Sequence, residues 1–133
     1  MSTAEPTPDE IAALLQVEHL LDQRWPETKI EPSTVRIVAL MEMLGNPQLT
    51  YPCIHIAGTN GKTSTARMAE QLLITMGLRT GRFTSPHLTS MTERISLDGE
   101  PISEERFVDA FNDIAPYTHV VDGHHDHPLS FFE

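Results

Sequence analysis

The stretch that most restricts what this chain can become is residues 53–76, CIHIAGTNGKTSTARMAEQLLITM. A short apolar run, 53–57, leads into Gly58-Thr59-Asn60-Gly61. Lys62, Thr63 and Ser64 follow, and the apolar spacing then becomes helical. Ala66, Ala69, Leu73 and Met76 share one face, and Gly77 closes the helix. Strand, glycine turn, lysine, hydroxyls, helix is the layout of a nucleotide phosphate cradle. Glycines let the backbone approach phosphates and turn its N–H groups toward them. The helix N-terminus adds a partial positive charge. Lys62 supplies a full one, and a following hydroxyl is placed to hold magnesium.

The spacing departs from the common P-loop. Counting back from Gly61 by the GxxxxGK rule lands on Ile56, not on glycine. Here the loop is shorter, and its glycines are Gly58 and Gly61. The bland alternative is a strand-to-helix turn with a glycine bend and a surface lysine. The strand before and helix after favour nucleotide binding, because that context is what confirms such a motif.

Length and charge narrow the rest. At 133 residues the chain has room for one domain with a real core. A net charge of -10 excludes a non-specific nucleic-acid binder, which needs a basic face. Cys53 is the single cysteine, and inside an apolar run it reads as a buried strand residue in a reducing compartment. No apolar run approaches membrane-spanning length, and MSTAEPTPDE has neither a basic start nor an apolar stretch of a secretory signal. These features point to the cytoplasm.

Along the chain, Thr7-Pro8-Asp9-Glu10 has the pattern of a capping box, with proline at the first helical position. A helix is predicted to about Gln23, with Ile11, Leu14, Val17 and Leu21 inward, and Trp25-Pro26 ends it. Residues 27–31 read as a polar loop. A second helix starts at Pro32-Ser33, with Val35, Val38, Met41 or Met43, and Leu44 as its apolar face. Gly45-Asn46-Pro47 stops it.

Residues 79–84 read as a second strand. A strand-helix-strand unit of this length is normally parallel and right-handed, and its ligands lie beyond the carboxyl ends of the strands. The fold class expected is therefore α/β, a P-loop-type parallel sheet flanked by helices. The hydroxyl-rich run from Ser85 to Thr92 then falls near the phosphate turn. Ile95-Ser96-Leu97 alternates like a strand, and Asp98-Gly99 signals a tight hairpin turn. Ser103 caps a further helix with Phe107, Phe111 and Ile114 inward, ended by Pro116.

The tail reads as a strand over 119–121 and then a turn crowded with Asp122, His124, His125, Asp126 and His127. Imidazoles and carboxylates suit zinc or nickel. Adjacent histidines in a loop are more often solvated, and that reading is preferred. Ser130 is placed to cap another helix.

These residues resemble a known family. IHIAGTNGKTS, followed by Leu72-Leu73 and Gly77, resembles the ATP-binding signature of folylpolyglutamate synthases and the related dihydrofolate synthases, within the Mur ligase superfamily. FTSPHLTSMTERISLDGEPIS is more specific to the folate branch, since Mur ligases share the glycine turn but usually not the SPHL…ERI segment. Residues 31–47 are also similar to the region that precedes the loop in this family. The resemblance covers most of residues 17–133.

It implies an ATP-dependent amide ligase. ATP phosphorylates a carboxylate, and the amino group of L-glutamate attacks the acyl phosphate. The acceptor is dihydropteroate or the terminal glutamate of a folate. The cofactors implied are ATP and Mg2+, the partners are small-molecule substrates, and the parent is monomeric. Carried over by position, Gly58, Thr59, Asn60, Gly61, Lys62, Thr63 and Ser64 bind the nucleotide, with Lys62 on the β and γ oxygens as the catalytic group. Ser64 and Ser85 hold the metal. Ser85, Pro86, His87, Leu88, Glu93 and Arg94 form the substrate side. Without the resemblance, Ser85-Pro86 is a plain turn and Glu93-Arg94 a surface ion pair.

Two departures qualify it. Many relatives have glycine after the lysine where this chain has Thr63, so general P-loop logic selects Thr63 for the metal and family position selects Ser64. The family's second glycine-rich signature, further metal ligands and C-terminal domain have no counterpart in these 133 residues. The chain is therefore read as an N-terminal part of a longer ligase, with 1–50 a helical lead-in and 51–133 an incomplete ATP-binding domain, and as inactive alone. The competing readings are a Mur-type ligase sharing only the nucleotide half, and a non-catalytic nucleotide-binding module.

Overall fold

A computed structural model describes residues 5–26 and 33–133. The loop expected over 27–31, and Pro32, lie outside the described residues. The chain divides into two compact units, Met1–Pro52 with Val108–Glu133, and Cys53–Phe107.

In the first unit, helix α1 (Pro8–Asp22) opens with the capping box read from the sequence. Thr7 Oγ1 accepts the Glu10 N–H at 3.3 Å, and Glu10 Oε2 accepts the Thr7 N–H at 2.6 Å. The Thr7 N–H, and then the Thr7 hydroxyl, both donating to Oε2, hold the Glu10 carboxyl below its ordinary range. Leu14 and Val17 are buried as expected, whereas Ile11 is exposed. Helix α2 (Val35–Met43) ends in a Schellman closure. Gly45 N–H bonds to Glu42 O and Asn46 N–H to Met41 O, with both residues at positive φ. The buried face of α2 is not the expected one. Val35 and Val38 face solvent, and Arg36 and Leu40 are buried.

The reason is the partner. Leu40 packs with Val121 and Leu129, flanked by Ile37, Ala39, Met41 and Leu44. Val121 is available because α4 (Glu104–His124) does not stop at Pro116 but runs through it. The strand expected over 119–121 is helix. An interior proline costs roughly 3 kcal/mol. Burial of Val121 and a polar clasp on the next residue offset it. Arg24 donates to Asp122 Oδ2 and to Leu129 O, each at 3.1 Å, and Asp122 Oδ1 accepts the Leu129 N–H at 2.7 Å. Arg36 donates to Glu133 Oε2 at 3.0 Å. Ser130 and Glu133 exchange bonds in a capping-box pattern, since Ser130 N–H reaches Glu133 Oε2 and Glu133 N–H reaches Ser130 Oγ.

The second unit holds the only sheet among the described residues. Strands β1 (Gly81–Phe83), β2 (Ile95–Leu97) and β3 (Glu100–Pro101) lie in that order. Both pairings are antiparallel, with Gly81 opposite Leu97, Phe83 opposite Ile95, and Ser96 opposite Pro101. Asp98 and Gly99 make the tight turn at φ +51° and +92°, where both central residues need positive φ. The Asp98 carboxylate accepts the Thr80 N–H at 2.8 Å and pins the hairpin to β1.

The α/β class stands, but the expected parallel ladder between 53–57 and 79–84 does not form among the described residues. Residues 53–57 carry no strand pairing, Ile54 is 66% exposed, and Cys53 is exposed rather than buried. A strand exists only through a neighbour's N–H and C=O groups, and an apolar run cannot supply that neighbour.

Candidate phosphate site and its flanking loop

Helix α3 (Lys62–Thr75) begins directly on the glycine turn. Gly61 is its N-cap at φ +73°, a left-handed conformation that costs an L side chain about 1–2 kcal/mol. No side chain caps this end, so its first N–H groups have no side-chain acceptor among the described residues. Lys62 Nζ donates a 2.5 Å bond to Gly58 O, which folds the ammonium back over the turn. Thr65 Oγ1 donates to Gly61 O at 2.9 Å, committing that hydroxyl to the backbone. The Thr63 and Ser64 hydroxyls are exposed and bond to nothing among the described residues. Gly58, Thr59, Asn60 and Gly61 are exposed as well.

The carboxyl end of α3 closes as expected on Gly77, with Gly77 N–H to Ile74 O and Leu78 N–H to Leu73 O. Its buried face carries a residue the sequence reading missed. Glu70 is 5% exposed, between the half-buried Ala66 and Leu73. It accepts Arg82 Nε from β1 and Ser96 Oγ from β2, each at 2.7 Å. Burial pushes this carboxyl up. The bonds from Arg82 and Ser96, the Arg82 charge and the Gly99 N–H outweigh that and bring it below its ordinary range. The signal was present, because position 70 falls four after Ala66 and three before Leu73, a charge on an apolar face. Met76, expected on that face, is exposed.

Arg82 also reaches Thr84 Oγ1 at 3.3 Å, and Thr84 N–H bonds to Arg94 O at 2.9 Å. The ion pair thus links the helix of the phosphate turn to the loop that follows β1. That loop carries the remaining predicted residues. Ser85 and Pro86, joined by a cis peptide bond, are exposed. The Ser85 hydroxyl has no partner among the described residues. Arg94, 8% exposed, donates through Nε to His87 Nδ1 at 2.8 Å. Glu93 accepts the N–H groups of Leu88, Thr89 and Ser90, each at 3.0 Å. Those of Leu88 and Ser90 lead in holding its carboxyl below the ordinary range. Glu93 and Arg94 therefore organise the loop instead of forming the plain surface pair of the bland reading.

The donor set suits a hard divalent cation only in part. Thr63, Ser64 and Ser85 offer free hydroxyl oxygens of the kind magnesium accepts. No group of three His, Cys, Asp or Glu among the described residues is placed to hold a metal. The histidine-rich tail is used otherwise. His124 Nδ1 bonds to Val120 O, Asp122 clasps Arg24, and the His127 ring stacks on Trp25 at 4.4 Å.

A left-handed glycine cap, an uncapped helix start, a lysine folded over the turn and free hydroxyls together have the geometry of a phosphate cradle in an α/β chain. No protein-family model matches the chain. The chain is similar to the N-terminal quarter of folylpolyglutamate and dihydrofolate synthases. It is 63% identical over 117 residues to the dihydrofolate synthase/folylpolyglutamate synthase of Mycobacterium tuberculosis, covering 88% of this chain and 24% of that protein. The Bacillus subtilis protein of the same name is 38% identical over 93 residues, covering 70% of this chain and 22% of its own length. Among solved structures, the Mycobacterium tuberculosis folylpolyglutamate synthase complexed with ADP superposes with a TM-score of 0.87 at 55% identity, over 93% of this chain and 28% of that one. A folylpolyglutamate synthase in complex with AMPPCP and folate superposes at 0.80 and 30% identity, over 90% and 29%. The resemblance read from the sequence is borne out, and the chain spans about a quarter of the length of these relatives.

Proposed function

We propose that this chain is the N-terminal, ATP-binding part of a longer ligase that joins L-glutamate to a folate, to dihydropteroate, or to both. The observation that carries the reading is the cradle itself. Gly58 and Gly61 deliver Lys62 to the uncapped start of α3, in a chain 55% identical to a structure bound to ADP. In this reading Gly58, Thr59, Asn60 and Gly61 wrap the phosphates with backbone N–H groups. Lys62 exchanges its bond to Gly58 O for the β and γ oxygens, where its charge counts most as the phosphoryl group leaves. The substrate carboxylate attacks the γ-phosphorus and ADP departs. The glutamate amine adds to the acyl phosphate carbonyl, and phosphate leaves with the bonding electrons while the nitrogen gives up its proton. Thr63 or Ser64, with Ser85, would hold magnesium, which when bound neutralises phosphate charge. Ser85, Pro86, His87, Leu88, Glu93 and Arg94 form the substrate side, by the folate-binding loop.

We further propose that residues 51–133 belong to the ATP-binding domain, that the ligase is a cytoplasmic monomer, and that its partners are small molecules and not nucleic acid. The net charge of -10 supports the last point, and no helix among the described residues is long and apolar enough to cross a membrane. The test is ATP- and glutamate-dependent product formation by the full-length ligase, with dihydropteroate and with tetrahydrofolate. Product with at least one acceptor, lost in Lys62→Ala, is expected. No product with either acceptor refutes the reading, and near-normal turnover by the variant removes Lys62 from its role.

A further inference from the structure

Glu93 does more than its local turn requires. A short 3-10 turn, Met91–Arg94, needs one reciprocal bond at its start, and Ser90 with Glu93 supplies it. Glu93 also gathers two N–H groups that lie before the cap. Its Oε2 takes Leu88, and its Oε1 takes Thr89 together with Ser90. Three successive amides thus converge on one carboxylate. They fix the backbone under Leu88, whose side chain is 94% exposed. Three N–H groups fixed on one carboxylate hold this backbone in one shape before any ligand arrives.

We propose that Glu93 is a positioning residue for the pteridine-bearing substrate. By clamping the Leu88, Thr89 and Ser90 amides it holds the 85–90 loop in its binding shape before the substrate arrives. This rests on the functional reading above. Glu93 itself touches backbone and acts through it. A glutamine keeps one acceptor oxygen and can serve only part of the set, and an alanine serves none. The clamp therefore predicts a graded series.

The experiment has two arms. Amide exchange on this chain, without substrate, reads protection at residues 88–90 in wild type, Glu93→Gln and Glu93→Ala. Steady-state kinetics on the full-length ligase reads KM for tetrahydrofolate, KM for ATP and kcat in the same variants. With the loop in its binding shape about a tenth of the time, Glu93→Ala raises KM for tetrahydrofolate about tenfold, while KM for ATP and kcat stay within about twofold. Protection at the three amides falls in parallel, and Glu93→Gln lies between. Unchanged protection in Glu93→Ala overturns the clamp. Lost protection with an unchanged KM for tetrahydrofolate overturns the positioning role, as does an equal rise in KM for ATP. If the wild-type ligase makes no product with any folate, the functional reading and the positioning role fall together, and the exchange arm still decides the clamp.

Discussion

Replacing Glu70 with alanine tests the claim that one buried ion pair fastens the phosphate-turn helix to the sheet. The Glu70 and Arg82 side chains are 5% and 11% exposed and meet at 2.7 Å, and Ser96 Oγ adds a second bond of 2.7 Å. Glu70→Ala leaves the guanidinium buried without this carboxylate and strips Ser96 of its acceptor. Breaking such a pair from one side costs about 3–5 kcal/mol. Total stabilities run only about 5–15 kcal/mol, so the unit holding the cradle would be close to unfolding. Replacing both partners by apolar residues of similar volume, Glu70→Leu with Arg82→Met, costs less, about 1–3 kcal/mol, because neither charge is then stranded and only the buried Ser96 hydroxyl loses its acceptor. The assay is urea unfolding followed by far-ultraviolet circular dichroism, with Trp25 fluorescence as an internal control. Trp25 is the single tryptophan and lies in the other unit, so its signal reports that unit. The pH dependence has a definite sign. The Glu70 carboxyl lies below its ordinary value in the fold, so its contribution is present above about pH 4.3 and is lost as pH falls through the folded value. Glu70→Gln should flatten that acid limb. A loss under about 1 kcal/mol in Glu70→Ala, the level of an exposed pair, refutes the reasoning.

Two further outcomes are expected. Glu133→Ala removes one acceptor of Arg36, whose side chain is 8% exposed, and that of the Ser130 N–H, and should cost about 1–3 kcal/mol. This loss is read by Trp25 fluorescence, and an unchanged urea midpoint would count against it. Gly61→Ala should lower ATP affinity in calorimetric titration and cost about 1–2 kcal/mol of stability. An added Cβ there meets nothing within 4 Å, so the penalty comes from φ +73° alone. Gly61→Asn should be milder, and equal behaviour of the two variants would show that φ is not the cause.

Much of the local structure was legible because short-range chemistry decides it. The Thr7–Glu10 capping box, the helix closures at Gly45 and Gly77, the Asp98-Gly99 turn and the start of α3 at Lys62 each involve groups a few residues apart. The SPHL…ERI segment was placed correctly on a loop after a strand, but the work of its charged residues was not visible. Glu93 and Arg94 looked like an ion pair until the chain's turn brought three amides and an imidazole to them.

Taken alone, the sequence determined the phosphate turn, its glycines and lysine, and the folate-ligase resemblance, because these depend on residue type at close spacing. Tertiary structure alone decided which faces are buried and which strands pair. Pro116 stays helical because Val121 and Asp122 find partners far along the chain, at Leu40 and Arg24. Glu70 is tolerated on an apolar face because Arg82 and Ser96 arrive from two strands. Residues 53–57 carry a strand's composition without a strand's hydrogen bonds. Burial and pairing belong to two segments at once, and a pattern read along one segment contains only half of that information.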